Sequence, residues 1–147
     1  MREPGNGEVQ ALDTLLDSTL ESVDTAEEAV LKIAGEMGFA EEELHRIGIA
    51  VRETVVNAVV HGNRYNIRKK VHLRVSQGDR RLVIEVQDEG DGFEMARVPD
   101  PLADENLLRH SGRGILLMHA FMDEFQMRPA LPKGAEVRMV KYLSKAN

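Results

Sequence analysis

The chain has 147 residues, enough for one domain with its own core or one domain with a tail. Hydrophobic residues make up 42%, which argues against wholesale disorder, and the lack of cysteine excludes a disulfide scaffold, a thiolate zinc site and a cysteine nucleophile. Nineteen basic against 25 acidic residues leave a net charge of −6, and with 4% aromatic residues and no tryptophan the chain is a poor candidate for nucleic-acid binding. No window approaches the roughly 18 apolar residues of a membrane span. The N-terminal residues lack the apolar run of a signal peptide, so the expected compartment is the cytoplasm.

Residues 1–8, with Pro4, Gly5 and Gly7, read as a disordered tail, and 9–147 as a single domain. Leucines at 12, 15, 16 and 20 fit helix or strand, and we read Ala11–Leu20 as a strand. Asp24 or Thr25 caps a first helix, with Glu28 completing a capping box, and Gly38 ends it. A second helix starts near Ala40 behind Glu41, Glu42 and Glu43, runs to about His61 and stops at Gly62. Val71, Leu73 and Val75, then Leu82, Ile84 and Val86, alternate with other residues on either side of Gly78-Asp79, which predicts a β-hairpin. The basic cluster Arg64–Arg74 reads as a solvated turn and strand edge. Residues 94–111 carry Pro99 and Pro101 and read as a long loop. Gly114–Phe121 predicts a short helix, and Phe125–Arg128 and Val137–Leu143 two more strands. Helices first and then a mostly antiparallel sheet make a two-layer α/β sandwich.

Three features carry chemistry. The first is the second helix, IGIAVRETVVNAVV from Ile47 to Val60, apolar on nearly every side except for Glu53 and Asn57, with His61 four residues on. Steps of four put all three on one face. That line is either the helix's solvent side or the place where something polar docks. In the second case an amide oxygen suits Mg²⁺ beside phosphates, and a carboxylate one turn away can take a proton from a hydroxyl. The second feature is Asp88-x-Gly90-x-Gly92-Phe93 directly after a strand. Its glycines let a ligand approach the backbone, and its aspartate can accept from an exocyclic amine. Taken alone it is equally an ordinary turn. It is neither a dinucleotide fingerprint nor an EF-hand. The third is Ser111-Gly112-Arg113-Gly114 opening a helix, where free N–H groups and Arg109 and Arg113 favour an anion, unless the stretch is only a hinge. The five histidines show no paired metal spacing, and the methionines at 118, 122, 127 and 139 read as core.

Taken in order, Glu53-x-x-x-Asn57-Ala58-x-x-His61-Gly62-Asn63, Asp88-x-Gly90-x-Gly92-Phe93 and Gly112-Arg113-Gly114-Ile115 resemble the gyrase/histidine-kinase/MutL ATPase superfamily with its Bergerat fold. Within it, Gly112–Asp123 (GRGILLMHAFMD) is similar to the anti-sigma factor serine kinases of bacterial partner switching. The resemblance implies ATP and Mg²⁺ as cofactors, Asn57 as Mg²⁺ ligand and Glu53 as catalytic base. It implies Asp88 on the adenine amine with Gly90 and Gly92 shaping that pocket, residues 94–111 as a lid, and Gly112, Arg113 and Gly114 on the phosphates. It further implies a sigma factor and a STAS-domain antagonist as partners, the second phosphorylated on serine, and a homodimer. The chain departs from many relatives in having no threonine after the glycine of Gly134-Ala135-Glu136-Val137. The contrasting expectation is a module that sequesters a partner without kinase activity.

Overall fold

Period-two apolar patterning resolves into strands and period-3.6 patterning into two helices, as physical chemistry requires of a half-buried sheet and its covering layer. The computed structural model describes residues 8–90, 118–130 and 133–144. Strand β1 is Val9–Asp17, helix α1 Glu21–Met37, and helix α2 Glu41–Val56, which passes into a π-helical stretch, Asn57–Gly62. Strands β2 (Lys70–Gly78), β3 (Arg81–Gln87), β4 (Glu124–Pro129) and β5 (Ala135–Tyr142) follow, and residues 118–121 are helical. The sheet order is β1-β2-β3-β5-β4, with every neighbouring pair antiparallel.

The core lies between one sheet face and the helices. Val23, Ala26, Val30 and Ala34 of α1 and Ile47, Ala50, Val51 and Val55 of α2 are buried, against Val71, Leu73 and Val75 of β2, Leu82, Ile84 and Val86 of β3, and Met139 of β5. Each large aliphatic side chain removed from water here contributes about 1.5–3 kcal/mol. Met118 and Met122 are buried with them, in line with their reading as core residues.

Several local expectations need correction. Helix α1 begins at Glu21, and its N-cap residue Leu20 makes no side-chain cap bond. The Thr25 hydroxyl bonds back to the Glu21 carbonyl (3.3 Å), and the Ser22 hydroxyl reaches the Asp17 carbonyl (2.7 Å), so no capping box forms at Thr25 and Glu28. Gly38 does end α1, in the left-handed region (φ 101°). The helical run after α2 does stop at Gly62, as expected, but without a left-handed glycine cap: the residue after it is Asn63 (φ −82°), and the left-handed residues are Arg64 (φ 51°) and Tyr65 (φ 60°). The hairpin turns on Asp79 and Arg80, since Gly78 still pairs with Arg81. The basic cluster is an exposed turn followed by a strand, but β2 is internal to the sheet, and its Arg74 is spent on Glu136 (3.0 Å). The tail 1–7 and the loop 94–111 lie outside the described residues.

Candidate functional site

Helix α2 presents its polar line where its geometry changes. The Asn57 N–H bonds the carbonyls of Glu53 and Thr54, so Glu53 and Asn57 stand one turn apart, both half-buried. From Asn57 the hydrogen-bond stride lengthens to five residues, as in Asn63 N–H to Ala58 C=O (2.8 Å). Such π stretches are rare and concentrate at functional sites. His61, four residues on within the π stretch, is exposed where Glu53 and Asn57 are half-buried. Between these two residues, Thr54 is buried and donates to the Ala50 carbonyl (2.8 Å) and to Met118 Sδ (2.7 Å), which fixes α2 against the helical residues 118–121. Among the described residues no three His, Asp or Glu side chains converge to hold a metal ion. An amide oxygen such as that of Asn57 suits Mg²⁺ that keeps its waters and shares phosphate oxygens.

Asp88 follows the last residue of β3 and is only 6% exposed. Its backbone N–H continues the sheet to the Ala135 carbonyl (3.0 Å). Its side-chain Oδ1 accepts from the N–H groups of Gly90 (3.0 Å) and Ala135 (3.1 Å). The Ala135 backbone thus holds this carboxylate from the first residue of β5. Burial pushes the Asp88 carboxyl pKa up, against the pull of the two N–H donors and the charge of Lys69.

Three glycines make room for this carboxylate. A Cβ on Gly62 would sit 2.2 Å from Asp88 Oδ2, and one on Gly90 would sit 2.1 Å from the Gly62 carbonyl oxygen. One on Gly134, where φ is +102°, would sit 2.0 Å from the Asp88 carbonyl oxygen. The end of the α2 helix, the turn after β3 and the turn before β5 therefore meet backbone to backbone. One carboxylate oxygen accepts from two main-chain donors, and the other faces Gly62, whose missing side chain leaves it room. An acceptor so held matches a ligand N–H, such as an exocyclic amine, better than it matches a proton-transfer role.

Asn63 completes the junction at 1% exposure. Its Nδ2 donates to Ser18 Oγ (2.9 Å) and the Lys70 carbonyl (3.0 Å), and its Oδ1 accepts from the Glu89 N–H (2.8 Å). The sequence pattern assigns no role to Asn63, Gly134 or Ala135 and makes Gly62 a helix stop, because only the packed chain shows what faces them. Of the residues expected at a site, the structure places Glu53 with Asn57 and Asp88 with Gly90. Gly92, Gly112, Arg113 and Gly114 lie outside the described residues.

Comparison with known proteins matches residues 16–141 to the histidine kinase-like ATPase domain. The anti-sigma F factor of Bacillus subtilis (strain 168) is 33% identical over 107 residues, 71% of this chain and 73% of that protein. The anti-sigma F factor of Bacillus velezensis matches with the same identity and coverage. In structure, the RsbU and RsbW domains of a Mycobacterium tuberculosis protein align with a TM-score of 0.67 at 19% identity, over 92% of this chain and 33% of that one. That likeness shows the fold.

Proposed function

The chain belongs to the histidine kinase-like ATPase domain family and, within it, to the anti-sigma factor serine kinases, and from that premise we propose that it binds MgATP, holds a sigma factor and phosphorylates a serine of a STAS-type antagonist. The observation that carries the nucleotide half is the Asp88 carboxylate, buried in a cradle of glycines with one oxygen fixed by two backbone N–H groups. In this reading its Oδ2 accepts from the adenine 6-amino group. Gly90, with Gly92 beyond it, keeps the base's approach clear. Gly112, Arg113 and Gly114 offer backbone N–H groups and a guanidinium to the phosphates.

Asn57 holds Mg²⁺ through its amide oxygen, and the cation supplies charge neutralisation on the phosphates. Glu53, one turn before it, accepts the proton of the seryl hydroxyl. The seryl oxygen then bonds the γ-phosphorus, the bond to the β,γ-bridging oxygen breaks, and ADP leaves with that electron pair. Positioning and electrostatics supply the rate, as is general for phosphoryl transfer. The sigma factor partner follows from what the Bacillus relatives are called. The STAS antagonist and a second copy of the chain as partners rest on the family resemblance.

The test is transfer of the γ-phosphoryl group of ATP to purified STAS-domain proteins from the same organism. Transfer by the wild type, lost in Glu53→Ala with ATP binding kept, is the expected result. Undiminished transfer by Glu53→Ala removes that residue as base. Sigma-factor capture that ignores both ATP and Asn57→Ala favours a sequestering module instead.

A further inference from the structure

We propose that Asn63 is the positioning residue of the Asp88 carboxylate, and that the preference for a base bearing an amine depends on it. This rests on the reading of Asp88 as the adenine contact. Asn63 sits where four chain segments meet: the end of β1, the π-helical stretch it follows, the entry to β2 and the exit from β3. Its side chain bonds the three strand ends at once, through Ser18 after β1, the Lys70 carbonyl at the start of β2 and the Glu89 N–H after β3. The Glu89 carboxylate in turn accepts from the Lys70 N–H (2.5 Å). Asn63, Glu89 and Lys70 thus close a ring: Glu89 N–H to Asn63 Oδ1, Asn63 Nδ2 to Lys70 C=O, and Lys70 N–H to Glu89 Oε2.

The ring has a direction. Glu89 separates Asp88 from Gly90, and the Gly90 N–H is one of the two donors that fix Asp88 Oδ1. Gly90 also leans on the Gly62 carbonyl, with no room for a side chain between them. Holding the Glu89 N–H therefore holds the peptide units on both sides, and with them the orientation of the Asp88 carboxylate. A fold clip needs only some buried bond between segments, and Ser18 already supplies a second one, from its hydroxyl to the Lys69 carbonyl (2.5 Å). The Asn63–Glu89 bond is the one that reaches the Asp88 turn.

The two arms of Asn63 can be separated. Asn63→Ala removes all three bonds. Asn63→Asp keeps an acceptor for the Glu89 N–H and loses both Nδ2 donor bonds. Ser18→Ala removes one donor target and leaves the Glu89 bond intact. The readout is the ratio of dissociation constants for ITP and ATP, because hypoxanthine carries a carbonyl where adenine carries the amine. Thermal unfolding is recorded beside it. The wild type should favour ATP by about tenfold or more, the range of one hydrogen bond to a charged group. Asn63→Ala should bring the ratio towards one, with weaker ATP binding. Asn63→Asp and Ser18→Ala should unfold at lower temperature yet keep most of the preference.

A purely structural Asn63 would lower the unfolding temperature in all three variants and leave the ratio alone, which overturns the proposal. Loss of preference in Asn63→Asp equally overturns it, and that variant keeps the test open should Asn63→Ala fail to fold. A wild type that binds ATP and ITP alike removes the reading of Asp88, and this proposal with it. That outcome shows in the wild type alone, so the two failures are distinguishable.

Discussion

Replacing Asp88 by asparagine separates binding from folding at this site. Asparagine has the same shape, and its Oδ1 can accept from the Gly90 and Ala135 N–H groups as the carboxylate does, at 3.0 and 3.1 Å. That bonding leaves the amide nitrogen in the place of Oδ2, against Gly62. A donor then faces the adenine amine, which is also a donor. Losing a hydrogen bond to a charged group costs about 1.5–3 kcal/mol, or roughly 10–150-fold in affinity. The fold should not suffer, because the substitution removes a buried charge whose desolvation opposes the native state at neutral pH. Calorimetric titration of Asp88→Asn with ATP and ITP, beside thermal unfolding, reads both effects. The expected outcome is an unfolding temperature at or above that of the wild type, ATP binding weaker by one to two orders of magnitude, and ITP now preferred. Wild-type ATP affinity in the variant would refute the role assigned to the carboxylate. A large drop in unfolding temperature would refute the account of how it is held.

The remaining predictions concern the cradle, the helices and pH. Gly62→Ala and Gly90→Ala each put a methyl carbon 2.2 and 2.1 Å from an oxygen, far inside van der Waals contact. Both should abolish ATP binding in the same titration and lower the unfolding temperature. Gly35→Ala, inside α1 with nothing within 4 Å of the new Cβ, should instead stabilise by about 0.5–1 kcal/mol, seen as a higher midpoint in urea. Lys141→Met removes one of the two cationic partners of Glu43 (2.8 Å; Arg46 remains at 3.0 Å) and the donor to the Phe121 carbonyl (2.9 Å), and should cost about 1–3 kcal/mol in the same denaturation.

The pH signs differ between the two carboxyls. The native Asp88 pKa is raised, so its contribution to stability is present below the ordinary carboxylate pKa and is lost as pH rises through the native value. ATP binding needs the ionised form, so affinity should fall as pH drops towards that raised value, and should not do so in Asp88→Asn. The native Glu43 pKa is lowered, chiefly by its bond to Lys141, so its contribution is present above the ordinary value and lost as pH falls through the native one. Unfolding curves of Glu43→Gln across acidic pH check this.

Most of the fold is legible in the residue pattern because burial is periodic. The alternation of Val71, Leu73 and Val75 with His72 and Arg74 survives intact in β2, and the helical spacing of Ala26, Val30 and Ala34 faces the sheet. Ends of elements are less legible. Thr25 and Glu28 have the spacing of a capping box, but Ser22 finds a better partner in the Asp17 carbonyl, so the helix starts earlier. Gly62 carries the residue type of a helix stop, yet its missing side chain serves the carboxylate of Asp88, 26 positions away in the chain. The same holds for Gly134 and Asn63. Their requirements come from long-range neighbours, and local pattern carries no trace of those. The π-helical stretch at Asn57–Gly62 was likewise hidden, since its apolar residues fit an α-helix equally well.

The central claim is that this chain has a metal-dependent nucleotide site built on Asn57 and Asp88. The measurement that meets it most directly is calorimetric titration of the wild type and Asn57→Ala with ATP, with and without Mg²⁺. The account predicts binding that strengthens with Mg²⁺ in the wild type and loses that dependence in Asn57→Ala. No heat of binding at millimolar ATP, or an Asn57→Ala variant with the wild type's metal dependence, would contradict it.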